Sequence, residues 1–124
     1  MTITAATADL LVILRHGPYG SSWLREGLDV SLVAAAFGQK VSLMFLGEGV
    51  LALMPGQAKG APGQKATAPI IDMLAMYDID RLLVCSDDLQ RMGLQADELC
   101  AAVEVISGEN VSAELDRHRS VFNF

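Results

Sequence analysis

Short, mostly apolar runs separated by turn residues and helical patterns are the feature that most constrains this fold. The runs are Leu10–Leu14, Val41–Leu46, Leu82–Cys85 and Ala101–Ile106. Each has the length of a strand rather than of a helix, and its apolar residues are largely consecutive instead of alternating. That pattern is typical of parallel strands that are buried on both faces. It predicts an α/β fold with a mostly parallel sheet of four strands or more.

Helical patterns occupy the intervals between these runs. From Trp23 to Phe37 apolar residues recur at helical spacing, and Gly38 is placed to end the helix. Further helices are predicted over Ile70–Tyr77, Asp87–Met92 and Val111–His118. Strands that alternate with helices in this way place helices on both faces of the sheet, in three layers.

The whole chain, 1–124, is short enough to be a single domain. Its last residues, Ser120–Phe124, are short, β-prone and alternating, so we expect a fifth strand at the sheet edge. The stretch Pro55–Pro69 contains Pro-Gly-Gln twice and is otherwise rich in Gly, Ala and Lys. It predicts a flexible surface loop, long enough to be a lid or a contact loop.

The composition favours an oligomer, and it argues against a membrane segment and against direct binding of nucleic acid. The chain is 52% hydrophobic and 19% charged, with a mean hydropathy of +0.36. No window approaches the roughly 18 apolar residues that span a bilayer, so the apolar surplus predicts a subunit interface rather than a membrane segment. A net charge of −6 without a cluster of Lys or Arg argues against direct binding of nucleic acid.

The two cysteines favour a reducing, cytoplasmic location. The first residues lack the basic region and the long apolar core of a signal peptide, so free thiols are expected. Neither a CxxC pair nor a Cys/His cluster is present, which argues against a metal site, and no motif calls for a cofactor.

Cys85 is the strongest candidate for chemistry. It ends a predicted strand directly before a predicted helix, at the sheet edge where α/β proteins gather reactive groups. Free backbone N–H groups and the helix dipole favour a thiolate there. Asp87 and Asp88 oppose it with negative charge, and Arg15 and Arg81 are the cations that the fold could bring near. The alternative is that Cys85 is a small buried side chain that only fills space.

Other residues are weaker candidates. His16 follows the first strand and is either a turn residue or a general acid at the same edge. Cys100 is expected to pack in or near the core, and His118 to sit at a helix C-terminus, where positive charge is favourable. The sequence Gly47-Glu48-Gly49 lacks the spacing and the Lys of a phosphate-binding loop, so a nucleotide site is disfavoured.

Three segments together resemble the TusC/DsrF family of DsrE-like sulfur-relay proteins. They are HGPYGSSWLREGLDVSLVAAAF (His16–Phe37), FLGEGVLALMPGQ (Phe45–Gln57) and MLAMYDIDRLLVCSDDLQRMGL (Met73–Leu94). Each is modest alone, but their order and spacing also agree, and from first to last they span residues 16–94, which is most of the chain.

The resemblance implies a DsrE-like fold and a cytoplasmic heterohexamer built with DsrE/TusD-like and DsrH/TusB-like subunits. Such complexes relay persulfide sulfur between small carrier proteins, toward 2-thiouridine in tRNA or in the oxidation of stored sulfur. In this family the transferring cysteine belongs to the DsrE/TusD-like subunit, at a position that Cys85 matches in this chain. We therefore expect a mainly structural and interaction role beside a catalytic partner. The alternative is that Cys85 itself carries a persulfide.

Overall fold

The computed structural model describes residues 8–18, 22–54 and 68–124. The strands are β1 (Ala8–Leu14), β2 (Val41–Phe45), β3 (Leu82–Cys85), β4 (Glu104–Ile106) and β5 (His118–Asn123). The α-helices are α1 (Trp23–Ala36), α2 (Ala68–Met73), α3 (Ser86–Met92) and α4 (Val111–Asp116). Turns of 3₁₀ helix cover Gly47–Leu53, Leu74–Tyr77, Ala96–Glu98 and Gly108–Asn110.

The five strands form one sheet in the order β4-β3-β2-β1-β5, and every pair is parallel. The predicted α/β fold with a parallel sheet is therefore confirmed, including a last strand at the edge. Because all strands run the same way, their carboxyl ends share one edge of the sheet. That edge is where the sequence placed its candidate residues.

Alternate side chains of the central strands enter two separate apolar cores. Leu10, Val12 and Leu14 of β1 lie in the larger core, together with residues of α1, α2 and α3. Leu11 and Ile13 lie in the smaller one, which α4 covers with Val111 and Leu115. Helices thus pack on both faces of the sheet, and burial on both faces explains why the strands are continuous apolar runs.

Helix α1 packs closely against β1 because it presents a glycine to the sheet. Leu24 and Leu28 are buried, as their spacing predicted. A Cβ built on Gly27 would lie only 2.3 Å from Leu14 Cδ2, so this position favours the smallest residue. The helix ends at Ala36, and Gly38 follows with φ of +89°, a conformation that glycine adopts without strain.

Several predicted boundaries were wrong. The fourth strand begins at Glu104 rather than Ala101, because residues 101–103 have no partner in the ladder. The predicted helix Ile70–Tyr77 is the end of α2 followed by a 3₁₀ turn, and Tyr77 at the end of that turn is exposed. The predicted loop Pro55–Pro69 lies outside the described residues except for its last two, which already belong to α2.

None of the described helices is long and apolar enough to cross a membrane.

Candidate functional site

A cleft opens at the carboxyl edge of the sheet, between the strand ends and α4. Its volume is about 610 Å³. Its walls come from the ends of several strands and from the turns and helices that follow them. The lining residues are Ile13, Arg15, Leu46, Gly47, Cys85, Asp88, Gly108, Val111, Leu115 and Asn123. Residues that follow or end three parallel strands, Gly47, Cys85 and Gly108, thus contribute to one cleft.

Cys85 lies in the wall of this cleft. It is the last residue of β3 and the N-cap of α3, with φ of −88° and ψ of 132°. Only 6% of the residue is exposed, and its thiol is free. The predicted position at a strand end before a helix is therefore correct, but the sulfur is mostly covered.

Asp88 ties the start of α3 to the turn after β2. Its carboxylate accepts a hydrogen bond of 2.9 Å from the backbone N–H of Gly47 and forms an ion pair with Arg91, one turn further along the helix. The charge of this buried acid is thus partly balanced beside Cys85. Arg91 was not predicted as a partner of Asp88, although a spacing of three residues on a helix is a known signal for such a pair.

Gly108 leaves room beside the thiol. A Cβ at this position would lie 2.7 Å from Asp87 Oδ2 and 4.0 Å from Cys85 Sγ. Asp87 and Cys85 therefore flank the same glycine after β4. Any larger residue there would have to displace the carboxylate of Asp87.

The glycine turn after β2 is explained by packing and not by phosphate binding. A Cβ on Gly49 would lie 1.9 Å from the carbonyl oxygen of Leu14, so no other residue fits at this point without a shift of backbone. Gly47 has φ of +54°, and Asp88 already occupies its N–H group. These contacts leave the turn with a structural role.

Of the two arginines considered as counter-charges for Cys85, only Arg15 lies in the cleft. Arg81 precedes β3 at the opposite end of that strand. Its guanidinium donates two hydrogen bonds, of 2.7 and 2.6 Å, to the buried carboxylate of Glu114, and it also pairs with Glu104 at 3.0 Å. The hydrogen bonds from Arg81 hold the pKa of Glu114 below its ordinary value. This cluster locks α4 and β4 to β3 and takes no part in the cleft.

The two histidines lie away from Cys85 and play different roles. His16 is exposed, does not line the cleft, and stacks on Trp23 with ring centroids 5.6 Å apart. His118 was expected at the end of a helix, but α4 stops at Asp116 and His118 begins β5. It is buried, its Nδ1 lies 2.7 Å from the carbonyl oxygen of Glu114, and its Nε2 has no hydrogen-bond partner among the residues that the structure describes.

Cys100 is exposed, contrary to the expectation that it packs in or near the core. Its backbone N–H donates a 2.8 Å hydrogen bond to the carbonyl oxygen of Leu53, and this contact holds the segment before β4. Partial shielding of the sulfur from water, together with the charge of Asp72, raises the pKa of its thiol. Cys85 and Cys100 are both free.

Within the described parts of the chain, no three His, Cys, Asp or Glu side chains are grouped so that they could hold a metal ion.

The comparison with protein families gives one match that spans nearly the whole chain. The model of the DsrE/DsrF-like family matches residues 8–124. The chain belongs to the DsrE/DsrF-like family. The resemblance found in the three sequence segments is thereby confirmed.

Two curated relatives illustrate where this DsrE/DsrF-like chain stands. A protein named TusC homolog from Vibrio parahaemolyticus is 32% identical over 117 residues, which cover 94% of this chain and 99% of that protein. The intracellular sulfur oxidation protein DsrF from Allochromatium vinosum is 34% identical, over 89% of this chain and 91% of that protein.

A solved structure supports the fold. The crystal structure of the YchN protein from Escherichia coli superposes with a TM-score of 0.81 and covers 95% of this chain and all of that chain, at 17% sequence identity. At this identity the likeness shows the fold alone. The parallel sheet with helices on both faces is thus a DsrE-like arrangement.

Proposed function

We propose that this protein is a subunit of a sulfur-relay complex, with a mainly structural and interaction role beside a catalytic partner. The observation that carries the proposal is the full-length match to proteins named TusC and DsrF, one of them described as an intracellular sulfur oxidation protein. The matches run across nearly all of both chains, so they concern the whole protein and not one motif.

The surroundings of Cys85 support the assignment of the chemistry to a partner. Exchange of sulfur between proteins requires that the thiolate reach the outer sulfur of a persulfide on the other protein. Cys85 is 6% exposed, and the acids Asp87 and Asp88 lie two and three residues after it in the first turn of α3. A covered thiol flanked by acids is a poor entry point for a carrier protein.

The proposed partners are a DsrE/TusD-like and a DsrH/TusB-like subunit, in a heterohexamer that serves small sulfur-carrier proteins. Large apolar side chains on the surface support a role as a subunit. Phe37 is 84% exposed and Met76 81%, and side chains of this kind can be buried when a partner subunit covers them. We place the complex in the cytoplasm, where free thiols such as Cys85 and Cys100 persist.

The relay ends either in thiolated tRNA or in sulfur oxidation, since the relatives carry names from both branches. The neighbouring genes distinguish the two outcomes, because sulfite-reductase genes beside this one favour sulfur oxidation.

Co-expression with the neighbouring genes tests the proposal. We expect this chain to co-purify with two homologous subunits, and native mass spectrometry to give the mass of a hexamer with two copies of each. A chain that purifies without either subunit would contradict the proposal.

The alternative, a persulfide on Cys85 itself, is supported by one feature, the shared cleft of Cys85 and Arg15. In that reaction the Cys85 thiolate attacks the outer sulfur of a donor persulfide, the donor S–S bond breaks, and the donor leaves as a thiolate. Incubation of the complex with a persulfide donor, followed by peptide mass mapping, separates the two functions. Added sulfur on the partner's cysteine and none on Cys85 favours the interaction role.

A further inference from the structure

The outer edge of β5 is an open template for another strand. On one side β5 pairs with β1, and no strand within residues 8–18, 22–54 and 68–124 pairs with its other side. Residues Arg119–Asn123 are all exposed. Edge strands are usually protected by proline, by inward-pointing charge or by being very short. This one is six residues long and has no proline, and its one arginine, Arg119, lies near its start, so most of its length is open to pairing.

The hydrogen bonds between β5 and β1 show which residues of β5 direct their backbone groups outward. Both backbone groups of Phe124 point toward β1. Its N–H donates a hydrogen bond to the carbonyl oxygen of Ile13, and its carbonyl oxygen accepts one from the N–H of Arg15, each at 2.8 Å. Along a parallel strand, alternate residues direct their groups to opposite sides. Val121 therefore directs its N–H and carbonyl outward, and it stands at the centre of the exposed run.

An apolar groove of about 400 Å³ runs beside this edge, between α1 and β5. Val30, Val33 and Ala34 form one wall and Phe122 the other, with Ser120 as a small residue between them along the strand. Val33 is 57% exposed and Phe122 48%. A helix laid in the groove would leave the backbone groups of β5 unpaired, whereas a strand added at the edge satisfies them and brings side chains over the groove.

We propose that the edge is occupied by β5 of a second copy of this chain, antiparallel, across a two-fold axis at Val121. In this register all five exposed residues pair. Arg119 faces Asn123 of the partner subunit, so no like charges are opposed. Ser120 faces Phe122 of the partner subunit. The small side chain of Ser120 leaves room beside the groove for the ring of that phenylalanine.

The interface is self-complementary, as a two-fold interface requires. Each copy contributes one Phe122 and one groove, and the two sheets join into one. The inference rests on β5 and α1 alone and holds whatever the role of Cys85. It is compatible with an assembly that contains two copies of this chain.

Engineered cross-linking tests the register in the full-length chain with Cys100→Ser as the background. In the proposed dimer the two copies of residue 121 form a hydrogen-bonded pair with Cα atoms about 5.5 Å apart, a separation that a disulfide spans. We expect Val121→Cys to form a covalent dimer on mild oxidation. Ser120→Cys and Phe122→Cys should not cross-link when each is alone, but a mixture of the two should, because residue 120 faces residue 122.

Substitutions at the edge test the dimer without cross-linking. Val121→Lys places two positive charges directly opposite each other, so sedimentation should show a monomer while circular dichroism and thermal melting show an intact fold. Phe122→Ala should weaken the dimer about tenfold or more, as expected for a buried aromatic anchor. The proposal is overturned if Val121→Lys leaves the dimer intact, if Ser120→Cys cross-links with itself, or if Val121→Cys cross-links only to a different protein or to none.

Discussion

The ion cluster at the amino end of β3 offers a sharp test of what holds the α4 face together. The guanidinium of Arg81 binds the carboxylate of Glu114 through two hydrogen bonds of 2.7 and 2.6 Å, and the Glu114 side chain is 5% exposed. Arg81→Met removes the charge but keeps much of the aliphatic stem. Within the described parts of the chain, the buried carboxylate keeps one arginine in ion-pair contact, Arg117, which is 3.2 Å away and half-exposed.

The expected cost follows from the burial of this pair. Removal of one partner of a buried ion pair costs about 3–5 kcal/mol, and the remaining Arg117 puts this case at about 3 kcal/mol. That is a large part of the total stability of a domain, about 5–15 kcal/mol. The pair with Glu104 adds little, because the Glu104 side chain is 53% exposed.

Denaturant unfolding at one fixed protein concentration measures the effect. We expect Arg81→Met to lower the free energy of unfolding by about 3 kcal/mol and Glu104→Gln by less than about 1 kcal/mol. The double variant Arg81→Met/Glu114→Gln should recover part of the loss, because it buries no charge. A loss below about 1 kcal/mol for Arg81→Met would refute this account of the cluster.

The same cluster gives a pH dependence with a defined sign. Hydrogen bonds from Arg81, and its charge, hold the pKa of Glu114 below its unfolded value of about 4.3. The stabilisation from Glu114 is therefore complete above that unfolded value and is lost as the pH falls through the lower pKa of the folded state. The difference in stability between the native chain and Arg81→Met should shrink on acidification below about pH 4. A constant difference from pH 7 to pH 3 would contradict the assignment.

Three further predictions concern the candidate site. Gly49→Ala places a Cβ 1.9 Å from a backbone oxygen at the end of β1, and it should lower the free energy of unfolding by more than about 4 kcal/mol. The control Gly17→Ala, whose Cβ has its nearest atom at 3.6 Å, should lower it by less than about 1 kcal/mol. Equal melting temperatures of the two variants would contradict this prediction. Asp88→Ala leaves the N–H of the turn after β2 unpaired and should cost about 1–3 kcal/mol in denaturant unfolding, and a neutral effect would show that the contact is unimportant. In the native chain, a thiol reagent followed by mass spectrometry should label Cys100 well before Cys85, and the reverse order would mean that the sulfur of Cys85 is open to the cleft.

The elements that the sequence predicted well are those defined by local burial. Val41–Phe45 and Leu82–Cys85 are buried at every position. Their sequences are therefore nearly continuous apolar runs, which identify them as strands. The same is true of α1, whose core face repeats every three to four residues. The position of Cys85 followed directly, because a strand that stops before a helix leaves its last residue at the sheet edge.

The errors occur where distant contacts override the local pattern. Residues 101–103 are apolar, but no described strand pairs with them, so β4 begins only at Glu104. The pattern of α4 continues through His118, yet this residue joins the sheet beside Ala8 at the start of β1. The hydrogen bonds between Arg81 and Glu114 join residues 33 positions apart, and no local sequence pattern predicts such a contact. The sequence shows where the charged residues lie along the chain, but it does not show which of them form ion pairs in the fold.

Sulfur transfer by the reconstituted complex that contains Cys85→Ser tests directly whether the chemistry lies in a partner subunit. Transfer to a small carrier protein is followed by the mass of the carrier, with the cysteine of the DsrE/TusD-like subunit replaced in a parallel sample as the matched control. We expect the complex with Cys85→Ser to assemble normally and to transfer sulfur at close to the native rate, while the control assembles but transfers none. Loss of transfer in an intact complex with Cys85→Ser would contradict the claim and assign the chemistry to this chain.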